Sequence, residues 1–193
     1  MKKLFTTLLL ASACVLSSYS QSEHMTFKGI PIDGTLEDFC SKIAKKGFTI
    51  TGLKTDIGFA RGDFAGFKNC TVYVNTSSGT GLVTSVGIIV PSSTTWAKLY
   101  GQYSGLRNNL TLKYGAPTHK NETFKGKRQP ADDIERILEV RLGNCRYSCT
   151  FESPLGIIDL SINHLGLEEA CILLVYTDRA NESMAQEAAK EDL

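Results

Sequence analysis

Histidine is scarce in this chain. Only His24, His119 and His164 occur among 193 residues. None stands at a spacing that suits metal ligation or paired acid–base work. There is no C-x-x-C, no G-x-S-x-G, and no glycine-rich loop followed by Lys and Ser or Thr. The common zinc, serine-hydrolase and phosphate-cradling motifs are therefore missing. An excess of one charge is also lacking. Twenty-one basic side chains face 20 acidic ones, a net of +1, and no basic stripe offers itself to a nucleic-acid backbone. After the first twenty residues, no apolar run is long enough to span a bilayer. These absences predict a protein with no metal, no cofactor, no nucleic-acid partner and no integral membrane segment.

What is present begins with a leader. "MKKLFTTLLLASACVLSSYSQ" has Lys2 and Lys3, an apolar stretch from Leu4 to about Leu16, and then small residues. This is the pattern of a secretory signal peptide over residues 1–20, with cleavage after Ser20 leaving Gln21 first. The rival reading is a lipoprotein signal acylated at Cys14. Here "LASAC" has alanine where that signal prefers leucine, and the apolar run continues past the cysteine. An exported protein of the periplasm or the medium is expected. About 173 residues remain, enough for one domain or two fused units.

Five cysteines stay in the mature chain: Cys40, Cys70, Cys145, Cys149 and Cys171. An oxidising compartment permits disulfides, so all five are candidates, with the pairing open. The odd number leaves at least one thiol. Along an extended strand Cys145 and Cys149 stand about 13 Å apart, beyond the disulfide limit of about 7 Å between Cα atoms. Any bridge needs partners on different elements. The other reading is that of buried thiols.

Periodicity sets the order of elements. "FKGIPI" is a short extended arm. "DGTLEDFCSKIAKKG" follows as a helix capped by Thr35 or Asp33, with Leu36, Phe39 and Ile43 on one face and Gly47 as its stop. "FTITGL", "GFARGDFAGF", "NCTVYVNTS" and "LVTSVGIIV" make an antiparallel meander. A second helix starts at Ser93 or Thr94 and repeats Trp96, Leu99, Tyr103, Leu106 and Leu110 before Tyr114, Gly115 and Pro117 end it. A polar loop over "THKNETFKGKRQP" leads to a short helix with Ile134, Leu138 and Leu142 on one face. Three strand-length pieces and a polar, alanine-rich tail complete the chain.

The fold class predicted is α+β, with tandem helix-on-antiparallel-sheet units packed into one domain. That domain runs over 21–178, with pseudo-repeats at about 27–91 and 92–178. The polar tail covers 179–193.

"TFKGIPIDGTLEDF", "KYGAP", "RYSCTFESPLGIIDLSI" and "LVYTDRAN" resemble a family of uncharacterised secreted proteins from Gram-negative gut bacteria. The doubled helix-plus-meander order also resembles the fold of the β-lactamase inhibitor protein and, more distantly, small outer-membrane assembly lipoproteins. Those are non-enzymatic modules that present a sheet to a protein partner. The resemblance implies binding of a protein or envelope component, possibilities that also include inhibitor-like action.

The aromatic candidates for such a surface are Phe59, Phe64, Phe67 and Tyr73, although burial explains each of them equally well. No catalytic residue stands out. One alternative is a periplasmic cysteine-dependent hydrolase pairing Cys149 or Cys171 with His164. Another is an envelope component anchored by lipid at Cys14.

Overall fold

The computed structural model describes residues 24–126, 128–165 and 169–191. The leader over 1–20 and the alternative acylation site at Cys14 lie outside the described residues. The arm is a tight hairpin. Strands β1 (Thr26–Phe27) and β2 (Ile30–Pro31) are joined by Lys28 and Gly29, both at positive φ, the backbone that a two-residue hairpin turn demands. Helix α1 (Leu36–Ala44) follows. Of the two candidate caps, Thr35 takes the role: its hydroxyl accepts the Asp38 N–H at 3.3 Å. Leu36, Phe39, Cys40 and Ile43 form its buried side.

The remaining elements are β3 (Thr49–Leu53), β4 (Ile57–Phe64), β5 (Phe67–Thr76), β6 (Val83–Ser93), α2 (Trp96–Tyr114), β7 (His119–Asn121), α3 (Asp133–Arg141), β8 (Ser148–Ser153), β9 (Gly156–Leu165), β10 (Glu169–Asp178) and α4 (Arg179–Glu191). Eight strands form one antiparallel sheet in the order β3-β4-β5-β6-β10-β9-β8-β7. The fold is α+β, as the periodicity predicts. Each half runs helix then four strands, and the halves meet where β6 pairs β10, with Ile88 opposite Leu174. Helix α3 is the exception, with no counterpart in the first half. Between helices and sheet lies one core. Val72, Val74, Ile88, Leu160 and Ile172 from the sheet meet Phe39 and Ile43 of α1 and Leu99 and Tyr103 of α2, all fully buried.

The structure departs from the sequence reading at four places. Helix α2 begins after Thr95, not after Ser93 or Thr94, and Thr95 makes no side-chain cap bond. Instead Asp133 at the start of α3 accepts the Ala97 N–H at 3.3 Å, so the cap comes from another helix. Asp133 lies on the side of α3 that faces α2 and the core. Ile137 and Val140 follow Asp133 at +4 and +7 and are buried, whereas Ile134, Leu138 and Leu142 are 81%, 51% and 55% exposed. The apolar face predicted for α3 is its outer one.

The polar stretch after α2 is not all loop. It carries β7, and it delivers Phe124 into an aromatic cluster, 5.2 Å from Trp96 and 5.3 Å from Tyr147.

The fourth departure lies in the tail: it forms α4, a helix its composition allows, but it is not simply solvated, because Asn181 is fully buried. Asp178, also fully buried, caps α4 by accepting the Asn181 N–H at 2.9 Å. The His24 Nδ1 lies 3.1 Å from that same Oδ1, and the other oxygen, Oδ2, accepts the Met25 N–H at 2.7 Å. The Asn181 amide donates to the Ile32 carbonyl, the Val83 carbonyl and Asp33, at 3.1, 2.9 and 3.1 Å. Both ends of the described chain are thus tied at one polar knot.

Candidate functional site

Helices α1, α2 and α3 pack on one face of the sheet, and α4 crosses the end where β10 finishes and β6 begins. The opposite face carries the alternate residues of every strand. One row of cross-strand neighbours runs its full width: Gly52, Phe59, Tyr73, Gly87, Val175, Asp159, Thr150 and His119. The rows beside it add Ile57, Ile89, Leu173 and Ile157 as half-buried apolar residues, with Asn75, Ser85, Thr71 and Thr177 between them. Towards β7 the face turns polar. Thr150 donates to Asp159 at 2.6 Å, and Glu152, His119 and Asn121 are exposed.

The two aromatics of this row, on β4 and β5, stand beside glycines. Phe59 stands beside Gly52, and a Cβ built on Gly87 would lie 1.9 Å from the Tyr73 Cζ. The Tyr73 ring therefore lies flat on the Gly87 backbone, and only glycine permits that approach. Burial pushes the Tyr73 hydroxyl above its ordinary value, with the neighbouring Cys171 adding to it. Gly87→Ala is expected to lift the ring and to cost about 1–3 kcal/mol. Urea unfolding measures that cost, and a change in tyrosine ring shifts on the sheet face reports the displacement.

Of the four aromatics suggested by sequence, the structure brings Phe59 and Tyr73 together on the uncovered face, the one that no helix covers among the described residues. Phe64 points the other way. It is buried and stacked on Phe27 at 5.7 Å, because it stands five residues after Phe59 and so shares the inward side of β4 with Gly58 and Ala60. Phe67, opposite Phe64, is half-buried against the core. The sequence reading did not pick out Ile89, Leu173 or Val175. Their alternation with core residues was the available signal, but "VGIIV" and "CILLVY" are apolar on both faces and hide it.

All five cysteines are free thiols: Cys40, Cys70, Cys149 and Cys171 are buried and Cys145 is half-buried. Burial raises every one of them above the ordinary thiol value, Cys145 and Cys171 to about 11. A nucleophilic cysteine needs the opposite shift.

Cys171 and His164 lie on opposite faces of adjacent strands. Cys149 pairs with Leu160, four residues and about 13 Å of strand from His164. The thiol that shares a cavity with His164 is Cys145, in a polar hollow of about 230 Å³ that Arg146, Ser148 and Asn163 also line. At neutral pH a thiol reagent is expected to label Cys145 slowly and the other four only after denaturation. Labelling of Cys145 is expected to accelerate as pH rises towards about 11. A burst of labelling at neutral pH on any cysteine would contradict this.

No family model, curated protein or solved structure matches the chain.

Proposed function

We propose that the chain is an exported, non-enzymatic binding module that presents its uncovered sheet face to a protein of the envelope or the medium. The observation that carries this reading is the cross-strand pair Phe59–Tyr73, with the Tyr73 ring seated on Gly87, within an apolar field. Protein interfaces concentrate aromatic residues at a desolvated centre and polar groups at the rim, and a pre-ordered ring loses little entropy on binding. Asn75, Ser85, Thr71 and Thr177 supply hydroxyl and amide groups around the centre. The near-neutral charge of this face favours recognition by shape over steering by charge. The resemblance to sheet-presenting inhibitors supports the same reading.

The test is capture from envelope extract on the immobilised mature chain, run in parallel with Phe59→Ser and, as a control, Leu112→Ser. Leu112 is 87% exposed on α2, in the helix layer. A specific partner is expected on the wild type and on Leu112→Ser, and its loss is expected on Phe59→Ser. Identical retention by all three would remove the sheet face from the reading.

A further inference from the structure

A second concave surface lies in the helix layer, away from the sheet face. It is a groove of about 300 Å³ between α3 and the start of α2. Ile134, Ile137 and Leu138 form its wall, Thr94 and Thr95 its floor at one end, and Arg141 its other end. Two observations mark it as incomplete. Ile134 and Leu138 are large apolar side chains standing 81% and 51% exposed beside it. The Arg141 Nε is buried with no hydrogen-bond partner, and the guanidinium makes no ion pair among the described residues. A buried donor left unmet costs more than an ordinary bond gains; Arg141 is half-buried, so its unmet Nε–H and the reachable rest of its guanidinium suit an anion.

The surrounding charges fix which way round an anionic amphiphile lies. Asp133, at the far end of the groove, is already engaged by the Ala97 N–H and the Arg136 guanidinium, each at 3.3 Å. It repels a second carboxylate. Eight residues of helix, about 12 Å, separate it from Arg141. The hollow on the other flank of Leu138 is lined by Glu135 and Glu139, and its Arg128 is already paired with Glu135 at 2.7 Å. An anionic head therefore has one place to go, and an apolar tail has one wall to follow.

We propose that this groove binds a single-chain fatty carboxylate, its head on Arg141 and its alkyl chain along Ile137, Leu138 and Ile134 towards Thr94 and Thr95. The guanidinium offers two parallel N–H donors to the carboxylate, and the chain covers the exposed apolar side chains of α3.

Titration of the full mature protein with decanoate, followed by amide NMR and calorimetry, tests this. Decanoate is expected to saturate, with shifts confined to residues 94–97 and 133–142. Decanol is expected to bind the same wall more weakly. Arg141→Gln is expected to weaken decanoate at least about tenfold, since it removes both charged hydrogen bonds to the carboxylate, and to leave decanol unchanged. Leu138→Asp, an exposed position where folding is not at stake, is expected to abolish both. Three results overturn the proposal: no saturation by decanoate, equal affinity in Arg141→Gln or Leu138→Asp, or a dimer in sedimentation that covers α3 and excludes decanoate.

Discussion

Asn181→Ala lowers the unfolding free energy by about 3 kcal/mol. The Asn181 side chain is fully buried, and its amide is the hydrogen-bond donor to the carbonyls of Ile32 and Val83. Alanine leaves both acceptors buried and unmet, at about 1–3 kcal/mol each. The substitution also removes a donor from Asp33. That carboxyl sits below its ordinary value. Burial works against this, but the Gly34 N–H, the Asn181 amide and the His24 and Lys42 charges outweigh it. A depressed carboxyl stabilises the fold above its unfolded pKa, and the contribution is lost as pH falls through its folded value. Asn181→Ala is therefore expected to flatten the acid limb of the stability curve as well. Urea unfolding checks the first effect through a lower midpoint at unchanged slope. A loss under about 0.5 kcal/mol, the range of ordinary surface changes, would show that the knot does not hold the fold.

The knot also shows what a linear reading misses. In sequence, Asn181 is one polar residue in "RANESMAQ", a stretch whose composition suits a solvated helix. Its role arises only because the fold brings residue 32 and residue 83 to the same point. His24 and Phe27 were equally silent. They lie in an arm with no periodicity, and their partners Asp178, Phe48 and Tyr176 come from elsewhere in the chain.

The doubled helix-and-meander order was legible, because alternation and capping are local signals. Helix α3 marks the limit of that signal. It carries one apolar stripe at Ile134, Leu138 and Leu142 and another at Ile137 and Val140, and periodicity alone does not choose between them. The choice falls to tertiary packing, which buries Ile137 and Val140 against the sheet and α2 and which no local pattern encodes.

The uncovered face was half legible for a related reason. Phe59 and Tyr73 alternate with core residues in β4 and β5, and both reach the face. Phe64 belongs to the same aromatic series, but it stands five residues after Phe59, and that odd interval puts it on the core side of β4 with Ala60.

The largest loss of stability is expected from Phe27→Ala, at about 4 kcal/mol. The ring is 1% exposed and sits among Phe48, Phe64 and Tyr176, at centroid distances of 5.7, 5.7 and 6.1 Å. Truncating a buried phenylalanine costs about 3–5 kcal/mol, against a total stability of about 5–15 kcal/mol for a domain. At this chain length the midpoint of thermal unfolding drops by about 8–16 °C. Phe27→Leu keeps much of the volume and is expected to cost less than about 1.5 kcal/mol.

The hairpin that carries Phe27 is held at two points: this ring in the core, and the Met25 N–H on Asp178. Residues that fix one element do not act independently. Once Phe27→Ala has loosened the arm, part of what Asn181 holds through Ile32 is already lost. The double variant Phe27→Ala/Asn181→Ala is therefore expected to lose less than the sum of the single losses. Strict additivity in urea unfolding would mean that ring and knot anchor separate parts of the fold, and that the arm is not their common element.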